Sequence, residues 1–178
     1  MLIGLAMTIR VFGPFEFDKV KVNDKDYVRQ RWDEIDTEIA RLSEACGVYI
    51  FTIRNAKNHV PVYIGQASSA SSFRKRVFSD DKFRTTIKYF NENKGVMTVL
   101  LLARPKPVQE GFAVITDEEL DFLETFCILC ALRKNENITN ISKTRMAERM
   151  RIPGLTGTFR QGHPGTAVQT LLNSFEME

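Results

Sequence analysis

The stretch that most constrains the fold is residues 47–76, where two strand-like segments are joined by a polar turn and followed by a helix start. Residues 47–53 place β-branched and aromatic side chains behind a glycine, a pattern typical of a strand. Residues 54–59 are polar and rich in turn formers, so the chain is expected to reverse there. Residues 60–65 then predict a second short strand, and the two strands together predict a β-hairpin.

The hairpin brings two tyrosines onto neighbouring strands, Tyr49 on the first and Tyr63 on the second. It is followed by a loop of small residues, 66–72, which offers a serine cap for a helix that begins near Phe73. Cross-strand packing of two aromatic rings is the ordinary role for such tyrosines, worth about 0.5–1 kcal/mol.

The order of these residues resembles the GIY-YIG nuclease family, which is named for two tripeptides on a hairpin followed by an arginine on the next helix. Residues 47–49 (GVY) and 63–65 (YIG) correspond to the tripeptides, and Arg76 corresponds to the arginine. Glu124 and Asn140 lie where the family places a glutamate on a later helix and an asparagine after it; Asn137 is the second choice for that asparagine.

The resemblance divides the chain into three parts. Residues 46–141 form the nuclease-like core, residues 1–45 an N-terminal extension of strand and helix packed on it, and residues 142–178 a basic C-terminal extension that ends in a helix. The predicted fold class is α/β of the α+β type, with a small three-stranded, mainly antiparallel sheet flanked by helices. Residues 96–102, a continuous apolar run, are expected to be the third strand and an inner one.

Glu124 is the second informative position. A capping-box pattern, Thr116 with Glu119, predicts a helix start, and Glu124 falls on the apolar stripe of that helix. A carboxylate in such a stripe is costly unless something pairs with it. The expected alternatives to a functional role are a buried ion pair with Arg76 or a place at the edge of the stripe.

The resemblance implies phosphodiester hydrolysis with one divalent metal, Mg²⁺ or Mn²⁺, held by Glu124. Mg²⁺ keeps several waters and commonly takes one or two carboxylates plus substrate phosphate. Arg76 would bind the phosphate, and Tyr49 would act as general base toward water. Tyr63 would hydrogen-bond within the site, and Asn140 would orient Glu124. The two glycines of the motif, Gly47 and Gly65, are assigned structural roles.

Basic residues are concentrated near the C-terminus, although the net charge of the whole chain is only +3. From residue 133 to residue 160 they outnumber acidic ones, so this stretch is expected either to bind phosphates or to form an ordinary solvated face. The candidate DNA-binding residues are Arg74, Lys75, Lys143, Arg145, Arg149 and Arg151.

Other features exclude function classes. Cys127 and Cys130 form a C-x-x-C pattern inside an apolar helical run without a second ligand pair, so both are expected to be buried helix cysteines. No apolar run approaches the ~20 residues that cross a bilayer, and a cytoplasmic protein is expected. Trp32 lies on the apolar face of a helix predicted to run from Asn23 or Asp24 to about Ala45. Core packing is favoured for it over stacking on a base.

The predicted function is a metal-dependent endonuclease acting on DNA, for which a homodimer would make cutting of both strands easier. The alternative is a catalytically degenerate nucleic-acid-binding protein on the same scaffold, favoured by Asp80, an anion near the place where many family members carry a histidine or tyrosine. A third class is an interaction domain in which the motif occurs by chance.

Overall fold

A computed structural model describes residues 8–56, 58–79 and 81–139. In these ranges the chain forms an antiparallel sheet of five strands flanked by four α-helices, an α+β fold. The predicted class is thus confirmed, but the strand count of three was too low. The strands are β1 (Arg10–Phe17), β2 (Gly47–Asn55), β3 (Asn58–Ala67), β4 (Val96–Pro105) and β5 (Phe112–Ala113); the helices are α1 (Lys25–Glu38), α2 (Ser72–Arg76), α3 (Asp81–Glu92) and α4 (Asp117–Leu132).

The sheet order is β1-β4-β2-β3, with the short β5 paired to the end of β4. β4 is therefore an inner strand, as its apolar sequence predicts. The additional edge strand is β1, which pairs along β4 with a register shift between Phe12 and Phe15. The hairpin of β2 and β3 is tighter than the polar residues 54–59 suggest, because the ladder continues to the pair Asn55 and Asn58.

Two apolar cores lie on opposite faces of the sheet. On one face, Phe51 of β2 packs with residues of α1, α2 and α3, including Trp32, Phe73 and Phe90. On the other face, Val48 and Ile64 pack with residues of α4. Alternation of side chains along a strand sends neighbouring residues to opposite faces, so both faces of the hairpin are covered by helices.

Helix α1 ends at Glu38, earlier than the predicted end near Ala45. The chain turns after Ile39, Arg41 takes a left-handed conformation with φ of 63°, and a short 3-10 helix follows at Leu42–Glu44. Asp36 accepts hydrogen bonds from both the backbone N–H and the hydroxyl of Ser43, which fixes this turn. The turn buries Leu42 completely.

Helix α4 begins as the sequence predicts. Thr116 is its N-cap, and Thr116 and Glu119 form a reciprocal capping box. Arg104 of β4 forms an ion pair with Glu119 and thereby joins the helix start to the sheet. In the part of the chain that the structure describes, no helix is long and apolar enough to cross a membrane.

Candidate active site along strand β3

The two motif tyrosines lie side by side on the face of the sheet covered by α1, α2 and α3. Their ring centroids are 6.1 Å apart with an interplanar angle of 42°. Tyr49 is 3% and Tyr63 6% exposed, so most of each ring is covered by protein. The tyrosines are diagonal neighbours: Tyr49 is opposite Gly65, and Phe51 is opposite Tyr63.

Gly65 makes room for the ring of Tyr49. A Cβ atom at position 65 would overlap Cζ and Oη of Tyr49 and would lie 2.8 Å from Cε2. The ring of Tyr49, in the first tripeptide, therefore lies over Gly65, the last residue of the second tripeptide. A glycine at position 65 leaves room for this ring. At Gly47, a Cβ atom would overlap the carbonyl oxygen of Leu102 on β4 and lie 2.7 Å from Phe73.

Helix α2 carries the next predicted site residues on the same face of the sheet as the tyrosines. Phe73 anchors the helix: its side chain is fully buried and its backbone N–H donates to the carbonyl of Ala45 at 2.9 Å. Arg76 is the last residue of α2 and is half-buried, while Lys75 is exposed. The predicted serine cap is different in detail, since the N-cap Ser71 makes no capping hydrogen bond and its hydroxyl lies 3.2 Å from that of Ser68.

Arg74 of α2 is held by ion pairs to two aspartates of α1. Its guanidinium lies 2.7 Å from Asp33 and 3.0 Å from Asp36, and its Nε donates to the hydroxyl of Ser43 at 3.0 Å. Burial acts to lower the pKa of Arg74, but the hydrogen bonds to the two aspartates outweigh it and leave the pKa raised. Because these carboxylates already balance its charge, we assign Arg74 a structural role in place of the predicted DNA-binding role.

Glu124 is buried in α4, as its place in the apolar stripe predicts. It is 8% exposed and is the one charged side chain among the buried residues of the described ranges. Its neighbours along the helix, Leu120, Cys127 and Ile128, are buried as well. Burial raises the pKa of Cys127 to about 11, with further contributions from Cys130 and the Glu124 carboxylate. A buried carboxylate on an apolar helix face is the least ordinary feature of this helix.

Cys127 and Cys130 do not share one environment. Cys127 is buried, whereas Cys130 is exposed, so the prediction of two buried cysteines was wrong for Cys130. The helical period separates them: Cys127 lies on the stripe with Glu124 and Ile128, and Cys130 falls outside it.

The predicted site residues occupy both faces of the sheet. Tyr49, Tyr63 and Arg76 lie on the side of α1–α3, and Glu124 belongs to α4 on the opposite side. Within the described ranges β3 is the edge of the hairpin, and both α2 and α4 contact it. A site that combined the two sides would therefore have to lie at the β3 edge.

The segment after α4 attaches to that edge. Asn135 donates its side-chain amide to the carbonyl of Pro61 at 2.7 Å, and Thr139 donates its backbone N–H to the carbonyl of Val62 at 2.8 Å. Residues 135–139 thus run beside β3. The predicted site residue Asn140 and the DNA-binding candidates Lys143, Arg145, Arg149 and Arg151 lie outside the described residues, as does Asp80.

Sequence reasoning missed one basic cleft. It lies between α1 and the α2–α3 segment and is lined by cations from both, among them Lys25 and Arg84. The residues come from segments far apart in the sequence, and no local spacing pattern connects them.

No family model, curated protein or solved structure compared with this chain matches it at a significant level. The resemblance to GIY-YIG nucleases therefore rests on the residues of the chain and on their arrangement, and it stays a prediction.

Proposed function

We propose that this protein is a metal-dependent endonuclease that hydrolyses DNA phosphodiester bonds at the edge of β3. The observation that carries the proposal is the burial of Glu124 in the otherwise apolar face of α4, at 8% exposure. A buried carboxylate needs a compensating partner, and its place on a helix that contacts both strands of the tyrosine hairpin supports a chemical role for it.

The donor set fits one Mg²⁺ or Mn²⁺ ion. The described residues contain no group of three or more His, Cys, Asp or Glu side chains suited to hold a metal. Mg²⁺ does not require such a cage, since it takes one or two carboxylates and completes its shell with waters and substrate phosphate. Glu124 would hold the ion, which when bound polarises the scissile phosphate and stabilises the departing oxygen.

The remaining residues supply orientation, charge and proton transfer. Arg76 binds the non-bridging phosphate oxygens through its planar guanidinium and balances the charge that develops on them. Tyr49 accepts the proton of the attacking water; because a free tyrosine titrates near ~10, this role requires a neighbouring positive charge. Tyr63, held 6.1 Å from Tyr49 by centroid distance, donates a hydrogen bond within the site.

In this proposal DNA is the partner, the C-terminal basic residues help to bind its phosphates, and the protein acts in the cytoplasm. Binding through several phosphate contacts should weaken steeply as the salt concentration rises.

The test is nicking of supercoiled plasmid by the full chain with Mg²⁺ or Mn²⁺. Wild type should cut, and Glu124→Gln and Arg76→Ala should each lose at least about a hundredfold in rate, as expected for groups that act on the transition state. Glu118→Gln, an exposed glutamate on the same helix, and Arg10→Ala, an exposed arginine on β1, are matched controls that should cut like wild type.

The outcomes separate the candidate functions. Cutting that survives both site variants contradicts the assigned site. Salt-sensitive DNA binding without cutting by wild type would favour the degenerate binding protein, and absence of DNA binding would favour an interaction domain.

A further inference from the structure

A cleft of about 550 Å³ opens between α1 and the α2–α3 segment. One wall comes from residues 22–32, which belong to the N-terminal extension and lie outside the part of the chain that resembles the nuclease family. The opposite wall comes from six residues of the α2–α3 segment: Arg74, Lys75, Phe78, Ser79, Phe83 and Arg84. Its volume is in the range of about 300–1,000 Å³ that is typical of pockets for small organic ligands.

Among the described side chains that line the cleft, the charged ones are cationic: Lys25, Arg29, Arg74, Lys75 and Arg84. Two of them are balanced within the protein, since Arg29 pairs with Asp26 at 2.7 Å and Arg74 pairs with Asp33 and Asp36. Lys25 and Lys75 are exposed, and neither forms an ion pair within the part of the chain that the structure describes. These two lysines, one from each wall, are therefore available to an anionic ligand.

The floor of the cleft is aromatic. Trp32 and Phe83 are buried, at 0% and 5% exposure, and Phe78 lies half-buried between them. Ring centroids are 6.3 Å apart for Trp32 and Phe78 and 5.1 Å apart for Phe78 and Phe83. Nε1 of Trp32 is buried and has no hydrogen-bond partner among the described residues.

We propose that this cleft binds a nucleoside phosphate, with the base against the partly exposed ring of Phe78 and the phosphate between Lys25 and Lys75. The combination of an apolar floor with cations on both walls suits a ligand that joins a heterocycle to an anion. Bases stack on aromatic side chains irrespective of their identity, and lysine binds phosphate as a point charge. The ligand is supplied either as a free nucleotide or as an unpaired nucleotide of a DNA strand.

The proposal does not require the proposed nuclease activity, because it concerns nucleotide binding without cleavage; the two share only Lys75, a candidate DNA-binding residue. It is tested with a metal chelator present. The probe is thymidine 5′-monophosphate, whose binding to the full chain is measured by equilibrium dialysis. Trp32 is the only tryptophan in the chain, so its fluorescence reports binding at the cleft itself.

The informative variant is Lys25→Gln with Lys75→Gln, two exposed positions where the change should not disturb folding. Its matched control is Lys88→Gln with Lys94→Gln, which removes the same charge from exposed positions that do not line the cleft. Wild type and control should bind the nucleotide saturably with a change in Trp32 fluorescence. The cleft variant should bind about tenfold or more weakly, as expected for the loss of two charged contacts.

Two comparisons complete the test. Thymidine alone and inorganic phosphate alone should each bind at least about tenfold more weakly than the nucleotide, since each lacks one half of the recognised group. A short 5′-phosphorylated oligothymidine that binds more tightly than the mononucleotide identifies a DNA strand as the source. Equal or weaker binding of the oligonucleotide identifies a free nucleotide.

The proposal is overturned by any of three results. These are absence of saturable nucleotide binding, equal affinity in wild type and the cleft variant, and inorganic phosphate binding as tightly as the nucleotide.

Discussion

Replacing Gly65 with alanine tests the contact that joins the two halves of the tyrosine motif. The added Cβ would overlap the outer atoms of the Tyr49 ring. Tyr49 is 3% exposed and is flanked by Phe51 and Tyr63 at centroid distances of 5.8 and 6.1 Å, so its ring has little room to move away. We therefore expect the substitution to destabilise the fold and to displace Tyr49.

The magnitude follows from two opposing terms. Overpacking in a core costs about 1–3 kcal/mol. The lower conformational entropy of alanine in the unfolded chain offsets about 0.4–1 kcal/mol, because the backbone at position 65 is not in the left-handed region. The net expectation is a loss of up to about 2.6 kcal/mol in the free energy of unfolding, with a midpoint of about 1.3 kcal/mol.

The assay is urea unfolding of Gly65→Ala in two backgrounds, wild type and Tyr49→Leu. Leucine lacks the ring atoms that the new Cβ would meet, so the cost of Gly65→Ala should fall below about 0.5 kcal/mol in that background. An equal cost in both backgrounds would refute the argument, as would a Gly65→Ala protein as stable as wild type. Gly47→Ala is expected to cost more than Gly65→Ala, since its Cβ would overlap a backbone carbonyl, which cannot rotate away.

Three further predictions concern other contacts. The Arg104 ion pair and the capping bond to Thr116 lower the pKa of Glu119 to about 2 from 4.5, so its stabilising effect is present above pH 4.5 and lost as pH falls toward 2. Thermal unfolding should therefore show wild type more stable than Glu119→Gln at pH 7, and the difference in stability should shrink as pH falls from 4.5 toward 2. A difference that stays constant over this pH range would contradict the prediction. Arg74→Gln should lose about 1–2 kcal/mol in urea unfolding because it removes the ion pairs between α2 and α1, whereas a neutral effect would contradict the structural role given to Arg74. A thiol reagent followed by peptide mass spectrometry should modify exposed Cys130 before buried Cys127, whose pKa is raised to about 11 by burial, and the reverse order would be inconsistent with this placement of α4.

Local patterns in the sequence predict the features that local forces determine. The hairpin and the capping box of Thr116 with Glu119 depend on neighbouring residues, and both form as predicted. The burial of Glu124 follows from helical periodicity alone. Periodicity and turn chemistry are therefore sufficient to assign the tyrosine pair to the hairpin and the glutamate to the buried face of α4.

Features that depend on distant contacts are not predictable in the same way. Helix α1 stops at Glu38 because Asp36 binds Ser43 and Arg74, a network whose members come from separate segments. Strand β1 joins the sheet through pairing with β4, far along the chain. The pairing of Lys25 and Lys75 across one cleft likewise depends on how α1 packs against α2 and α3.

The central claim is that Glu124 serves catalysis of DNA hydrolysis, and it is tested most directly by separating binding from cutting in one variant. DNA binding by wild type and Glu124→Gln is measured with a chelator present, and single-turnover cutting of the same DNA is then measured with Mg²⁺. The account predicts that Glu124→Gln binds DNA within about threefold of wild type and cuts at least about a hundredfold more slowly. Equal cutting by both proteins, or no cutting by a wild type that binds DNA, would contradict it.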